Sequence, residues 1–200
     1  MNGRHRSRVV GGRRPGRDTR AQCAALTLAT LLGALACFGP AAAQESATER
    51  AATGAVSLAG IRLSDLDGTL VDLGSYLGKG PIVLDFWATW CKPCLAAIPD
   101  LNRLHADLAP RGLQLVGINE DGQRNAAKVK PFVKTQQIVF PVLLDLNREA
   151  QNRLNVGVLP TTLLLDSQGN VVHTSFGYRQ GEIDKLRQKI EPLLPEPRPE

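Results

Sequence analysis

The sequence predicts an α/β domain built on a mixed central sheet flanked by helices, and three observations predict it. Short apolar runs of strand length alternate with stretches whose apolar residues recur every three or four positions. Two strand pairs, one near each end of the domain, are joined by polar loops of hairpin length. Two central runs are apolar almost without interruption, as strands covered on both faces must be. Strands that alternate with helices and then close in a hairpin combine parallel and antiparallel neighbours in one sheet.

The domain does not begin at residue 1. Residues 1–20 carry seven arginines, residues 21–38 carry no charge, and Ala41, Ala42 and Ala43 follow. A basic region, an apolar region and a small-residue site in that order describe a secretory signal peptide over 1–43, cut before Gln44. Three other uses of the leader stay open. It is long enough to remain as an uncleaved membrane anchor, since about 18 residues just span a bilayer. Cys37 is a lipidation candidate, although Ala34-Leu35-Ala36 suits that poorly. Arg13-Arg14 is a twin-arginine candidate that lacks the Phe and Leu usual after the pair. Residues 44–54 have no apolar periodicity and read as a linker, and 195–200, with three prolines, read as a frayed tail. The folded domain is therefore expected over 55–194.

This division changes the meaning of the charge. Residues 1–43 hold seven of the 24 Lys and Arg and one of the 19 Asp and Glu, so 17 bases face 18 acids in the remainder. The net charge of +5 belongs to the leader and gives no ground for a nucleic-acid partner. Cys23 and Cys37 also belong to the leader, which leaves Cys91 and Cys94. That pair is too close in sequence to staple a domain of this size, so it asks for a chemical explanation.

Along the domain, residues 61–66 and 69–73 alternate apolar and polar around Asp67-Gly68, a hairpin turn dipeptide. Residues 82–87 form a buried central strand broken only by Asp85. Leu95, Ile98, Leu101, Leu104 and Leu108 then mark an amphipathic helix, and Pro99 within it predicts a kink about one turn after Cys94. A second buried strand covers 113–118, a helix containing Pro131 lies within 125–136, and a short strand falls in 139–144. A short helix over 147–154 leads into Gly157-Val158-Leu159-Pro160. Residues 161–165 and 171–175 form an antiparallel pair around the polar loop 166–170, and Ile183, Leu186, Ile190 and Leu193 mark a closing helix. Trp87 and Trp90 have plain explanations as core and rim, Tyr76, Phe132 and Phe176 are core candidates, and His105 and His173 are expected on element surfaces.

Cys91 and Cys94 fall where the strand 82–87 passes into the helix. At a first helical turn, unpaired N–H groups and the positive end of the macrodipole stabilise an anion, so the Cys91 thiol should titrate below the ~8.5 of a free cysteine. A spacing of three puts the second sulfur on the same helical face, within reach of a disulfide. Cys91 is then the attacking thiolate, and Cys94 resolves the mixed disulfide. Lys92 either supports the thiolate with its charge or is a solvated surface lysine. Pro93 costs no helical hydrogen bond at the first turn and stiffens the loop. A carboxyl buried in an apolar strand has a raised pKa, so Asp85 is the candidate base that takes the proton from Cys94; its plain alternative is an Asp that reaches solvent.

The Trp90-Cys91-Lys92-Pro93-Cys94 motif after Phe86-Trp87-Ala88-Thr89, the upstream Asp65-Leu66-Asp67-Gly68 and the downstream Gly157-Val158-Leu159-Pro160-Thr161-Thr162 resemble the TlpA/ResA-like branch of the thioredoxin superfamily. The resemblance covers roughly residues 56–194. It implies a thioredoxin fold with an N-terminal hairpin and a helical insertion, and a redox-active Cys91–Cys94 disulfide with no other cofactor. It further implies a periplasmic dithiol donor to cysteine-containing extracytoplasmic proteins, itself served by a membrane electron donor. Pro160 would follow a cis bond and face the cysteines, and Leu159 would offer its backbone to an extended substrate segment beside Trp90. Asp85 would match the buried aspartate of thioredoxin. Two positions depart from the branch. Ala97 stands where several members carry a glutamate three residues after the second cysteine, and Thr161 stands where members dedicated to cytochrome c maturation often place an acid. Cytochrome or copper-site maturation is therefore one use among others.

Three rival activities use a similar site. A peroxidatic cysteine in P-x-x-x-T-x-x-C needs Pro seven and Thr three positions before the sulfur, where this chain has Leu84 and Ala88 for Cys91 and Trp87 and Cys91 for Cys94. A dithiol oxidase of the DsbA kind normally carries a large helical insertion that 122–139 is too short to supply, but redox direction depends on thiolate stability rather than on fold. A zinc handling protein would need four ligands, for which His105 and His173 are the candidates besides the two thiols, and both are expected on element surfaces; a copper relay could use the two thiolates alone.

Overall fold

The computed structural model describes residues 54–55 and 57–196. The expected signal peptide 1–43 with Cys23 and Cys37, the linker up to residue 53, and tail residues 197–200 lie outside the described residues.

Eight strands form one sheet. In chain order they are β1 (Gly54–Ala55), β2 (Arg62–Asp65), β3 (Leu70–Asp72), β4 (Ile82–Trp87), β5 (Gln114–Asn119), β6 (Val142–Leu144), β7 (Thr161–Leu165) and β8 (Asn170–Phe176). Their order across the sheet is β1-β8-β7-β4-β5-β6-β2-β3. β4, β5 and β6 run parallel, and every other pairing is antiparallel. The helices are α1 (Lys92–Leu108), α2 (Ala126–Thr135), α3 (Glu149–Arg153) and α4 (Glu182–Ile190). The mixed sheet and its flanking helices are the thioredoxin fold that the sequence implied.

The all-apolar strands are central because the sheet is covered on both faces. Along β4, Val83 and Trp87 pack with α1 and α4 through Leu101, Leu104, Leu186 and Ile190. Ile82, Leu84 and Phe86 pack on the other face with Leu58, Ile61, Ala150 and Val171. Each such side chain contributes roughly 1.5–3 kcal/mol relative to exposure, which holds β4 from both sides. Gly117 of β5 lets two rings lie close to the strand, since a Cβ there would sit 3.0 Å from both Trp87 and Phe140.

Local expectations hold at some positions and change at others. The first hairpin is shorter than its alternation suggests, because Asp65 turns inward to its own loop and accepts from the N–H groups of Asp67 and Thr69. Gly68 takes the left-handed conformation there. α1 continues through Pro99 as one helix; the missing proline N–H deprives the Leu95 carbonyl of its ladder partner without ending the element. α2 likewise contains Pro131. Among the aromatics, Trp87 is core and Phe176 is exposed at the end of β8. His173 is buried rather than on a strand surface.

Candidate functional site

β4 ends at Trp87, and the four residues before Lys92 turn the chain onto the N-terminus of α1. Cys91 is the cap residue, in extended conformation, with no side chain capping the helix. Its N–H donates to the Ala88 carbonyl at 3.1 Å. Pro93 stands in the first turn, where no ladder donor is needed. Cys91 and Cys94 are joined as a disulfide with their Cα atoms 5.3 Å apart. Both belong to the core on the α1 face, Cys91 5% and Cys94 1% exposed. Trp90, immediately before the pair, is 66% exposed, and Lys92 is exposed beside it.

Asp85 reaches no solvent. It lies in the middle of β4, between β5 and β7, and is 3% exposed. Strand alternation puts it on the same face as Val83 and Trp87, the face covered by the helix that carries the cysteines. The cross-strand neighbour Thr162 donates its hydroxyl to Asp85 Oδ1 at 2.9 Å. Burial pushes the Asp85 carboxyl up to about 6, against the opposing pull of that hydrogen bond. The solvent-reaching alternative for Asp85 is thereby excluded.

The segment before β7 has the conformation that the resemblance implied, with a cis Leu159–Pro160 bond. It is pinned on both sides, since Gly177 N–H donates to the Pro160 carbonyl at 2.8 Å and Thr161 Oγ1 donates to the Val158 carbonyl at 2.7 Å. Thr161 is buried, so the position after the proline presents no group to a partner. Leu159 has no backbone hydrogen bond among the described residues.

Two acids that the sequence reading passed over support the same loop. Asp121, just past β5, accepts from the Thr89 N–H at 2.8 Å, from Thr89 Oγ1 at 2.6 Å and from Asn119 Nδ2 at 2.7 Å. These bonds tie the turn before Cys91 to the neighbouring parallel strand. The only hint in the sequence is that polar residues follow directly on a buried strand. Glu120 donates its N–H to the Trp87 carbonyl at 2.8 Å. Its side chain is buried, and neither carboxyl oxygen has a hydrogen-bond partner among the described residues.

Burial, followed by the charge of Asp145, pushes the Glu120 carboxyl up to about 8, with Arg148 opposing. Because the folded pKa lies above the ordinary 4.5, the folded state holds an extra proton between those two values. Stability should therefore fall as pH rises through that window, by up to ~1.4 kcal/mol per pH unit. Denaturant unfolding from about pH 5 to pH 9 should show this slope in the wild type and a flatter one in Glu120→Gln. Parallel profiles for the two proteins would mean that Glu120 carries no such proton.

Among the described residues no three His, Cys, Asp or Glu side chains gather as a metal site would require. No helix among them is long and apolar enough to cross a membrane.

Residues 56–174 match the AhpC/TSA family. The thiol-disulfide oxidoreductase ResA of a Bacillus cereus strain is 36% identical over 131 residues, 65% of this chain and 74% of the relative. A putative thiol:disulfide interchange protein DsbE from Chlorobium tepidum superposes with a TM-score of 0.61 at 27% identity, over 69% of this chain and 96% of that one. A secreted Mycobacterium tuberculosis disulfide oxidoreductase, described as homologous to E. coli DsbE, superposes with a TM-score of 0.58 at 26% identity, over 66% and 96%. The family match coexists with the absence of the peroxidatic signature, because Ala88 and Cys91 stand where its threonine would be. With a cysteine pair at a helix cap, a cis-proline before β7 and these relatives, the chain belongs to the AhpC/TSA family of thioredoxin-fold proteins, as a thiol-disulfide oxidoreductase of the ResA/DsbE type.

Proposed function

We propose that this protein works outside the cytoplasm as a disulfide reductase, passing two electrons from the Cys91–Cys94 dithiol to disulfides of exported proteins. The donor direction rests on the segment 122–139, too short for the large helical insertion of an oxidase, and the observation that carries the exchange chemistry is the position of Cys91. It caps a 17-residue helix with no side chain competing for the free N–H groups, so its thiolate is stabilised where the helix dipole is most positive.

The Cys91 thiolate attacks one sulfur of a substrate disulfide, and the other sulfur leaves as a thiolate. Cys94 then loses its proton to Asp85 and attacks Cys91, which releases the second substrate thiolate and leaves the Cys91–Cys94 disulfide. Trp90 and the Leu159-Pro160 segment hold the substrate strand, Pro93 stiffens the turn, and Lys92 adds positive charge beside Cys91. No cofactor beyond the cysteine pair takes part. A membrane electron donor restores the dithiol.

The leader over residues 1–43 supports export to the periplasm, either as a soluble protein or held by that segment, and the secreted mycobacterial relative supports the same compartment. Proteins whose paired cysteines must stay reduced for haem or copper loading are the candidate substrates. Ala97 and the inward-turned Thr161 present no acid to them, which favours a reductase of broader use over one dedicated to cytochrome c.

Direction is tested by the reduction potential. Equilibration of the full chain in graded thiol–disulfide buffers, with the reduced fraction counted by thiol labelling, should give a value nearer thioredoxin's ~ −270 mV than the ~ −120 mV of a strong oxidase. A value at the oxidising end would replace reductase by oxidase. Purification of the reduced protein with stoichiometric copper or zinc would replace both by metal handling.

A further inference from the structure

The turn between β4 and α1 hangs on a two-pronged clamp. Thr89 donates twice to Asp121, from its N–H to Oδ2 at 2.8 Å and from Oγ1 to Oδ1 at 2.6 Å. Asp121 is itself fixed, since Oδ2 also accepts from Asn119 Nδ2 at 2.7 Å and the Asp121 N–H returns to Asn119 Oδ1 at 3.2 Å. Asn119 ends β5 in parallel register with Trp87, the last residue of β4. Asn119 and Asp121 are both buried, so water competes little for these bonds. The clamp thus joins the turn to the rigid end of the central sheet.

From the clamped residue to Cys91 the chain passes through Trp90, which is 66% exposed and gains little hold from burial. What else restrains Cys91 depends on redox state. In the oxidised chain the bond to Cys94 ties the turn to the start of α1. Reduction removes that tie. The clamp then keeps the sulfur at the helix cap, where a thiolate faces the free N–H groups and the positive end of the helix dipole.

We propose that Thr89 and Asp121 are positioning residues for the Cys91 thiolate, holding it at the cap of α1 in the reduced protein. The proposal rests on the thiol-exchange reading and adds to it a hydrogen-bonded pair, outside the two cysteines and the residues between them, that tunes the nucleophile. Loosening the clamp costs the reduced form more than the oxidised one, because the disulfide restrains the oxidised turn as well. A reduced form that loses stability makes the disulfide harder to reduce, so the reduction potential moves down. A sulfur farther from the N–H groups is harder to ionise, so the Cys91 pKa moves up.

The test uses the full chain as wild type, Thr89→Val and Thr89→Ser. Valine keeps the shape of the half-buried Thr89 and removes the hydroxyl donor, whereas serine keeps the donor. The pH midpoint of Cys91 alkylation in the reduced protein should rise by about half a unit to one unit in Thr89→Val, as one hydrogen bond to a charged group is lost chiefly from the reduced state. In glutathione buffers its equilibrium constant for reduction should fall about threefold to tenfold, or ~15 to 30 mV. Thr89→Ser should restore both values towards the wild type. Added to Asp121→Ala, where the acceptor is gone, Thr89→Val should cause no further shift.

A lower unfolding midpoint in Thr89→Val with an unchanged alkylation profile and potential would make the pair merely structural and overturn the proposal. So would a full additional shift in the Asp121→Ala background. The wild type supplies a measurement that needs no variant: the Thr89 amide proton should exchange slowly in both redox states, and fast exchange in the reduced protein would overturn the clamp. An uncharged small disulfide, 2-hydroxyethyl disulfide, separates the two levels. If the wild type fails to reduce it, the exchange reading itself fails, while the alkylation profiles and the Thr89 amide still decide the clamp.

Discussion

A Cys94→Ser variant is expected to accumulate as a mixed disulfide between Cys91 and its substrate, with turnover down by about 10³-fold or more, as when a covalent catalyst loses a member of its reacting unit. The first displacement needs only the Cys91 thiolate at the cap of α1. The second needs a thiol one turn further into the helix, and Cys94 is that group, joined to Cys91 in the oxidised chain. With serine there, the covalent species cannot be released from within the protein. Non-reducing electrophoresis and mass spectrometry of the extracytoplasmic fraction should find adducts through Cys91, and Cys91→Ser should yield nothing comparable. Partners with paired cysteines destined for haem or copper would support the reductase reading. Secreted proteins rich in structural disulfides would favour oxidase or isomerase. Adducts through Cys94 in a Cys91→Ser variant, and none in Cys94→Ser, would exchange the two roles.

Replacement of Asp85 by Asn should slow the resolving step by ~10- to 100-fold, the range of one general base, while the first attack by Cys91 stays near its wild-type rate. Asp85 is buried, and its side-chain partner among the described residues is Thr162. Asp85 lies on the face of the sheet that carries the cysteines. In the wild type the resolving rate should rise as Asp85 loses its proton near pH 6, and the Asn variant should lack that rise. The same carboxyl bears on stability. Its folded pKa of about 6 exceeds the ordinary 3.8, so the folded state holds an extra proton between those values. Stability falls as pH rises through that window, and Asp85→Asn should flatten the fall. Rapid mixing with a disulfide substrate separates the two displacements. An unchanged resolving step with a flattened stability profile would make Asp85 a structural residue.

The class of fold and the place of the cysteine pair were legible in the order of the amino acids alone. A continuous apolar run survives only in a strand covered on both faces, so residues 82–87 and 113–118 had to be central, and a cysteine pair after such a strand had to sit at a helix start. The same pattern carried Asp85, because a lone acid in an apolar run is legible as an exception. Sequence patterns faltered where a polar side chain served the backbone rather than the solvent. Asp65 shortened the first hairpin by bonding its own loop. Asp121 and Glu120 look like surface acids in a polar stretch, yet one ties Thr89 to β5 and the other is buried beside Asp145. His173 reads as a surface residue and is buried.

These arrangements emerge in the folded chain, because each depends on a neighbour distant in sequence. Thr162 reaches Asp85 across 77 positions and Asp121 reaches Thr89 across 32. Pro93, His173 and Lys185, far apart in the chain, line one cleft. Local periodicity shows which face of an element is buried. It does not show which elements become neighbours, and the long-range packing that settles this also decides whether an acid is solvated, shared or left alone.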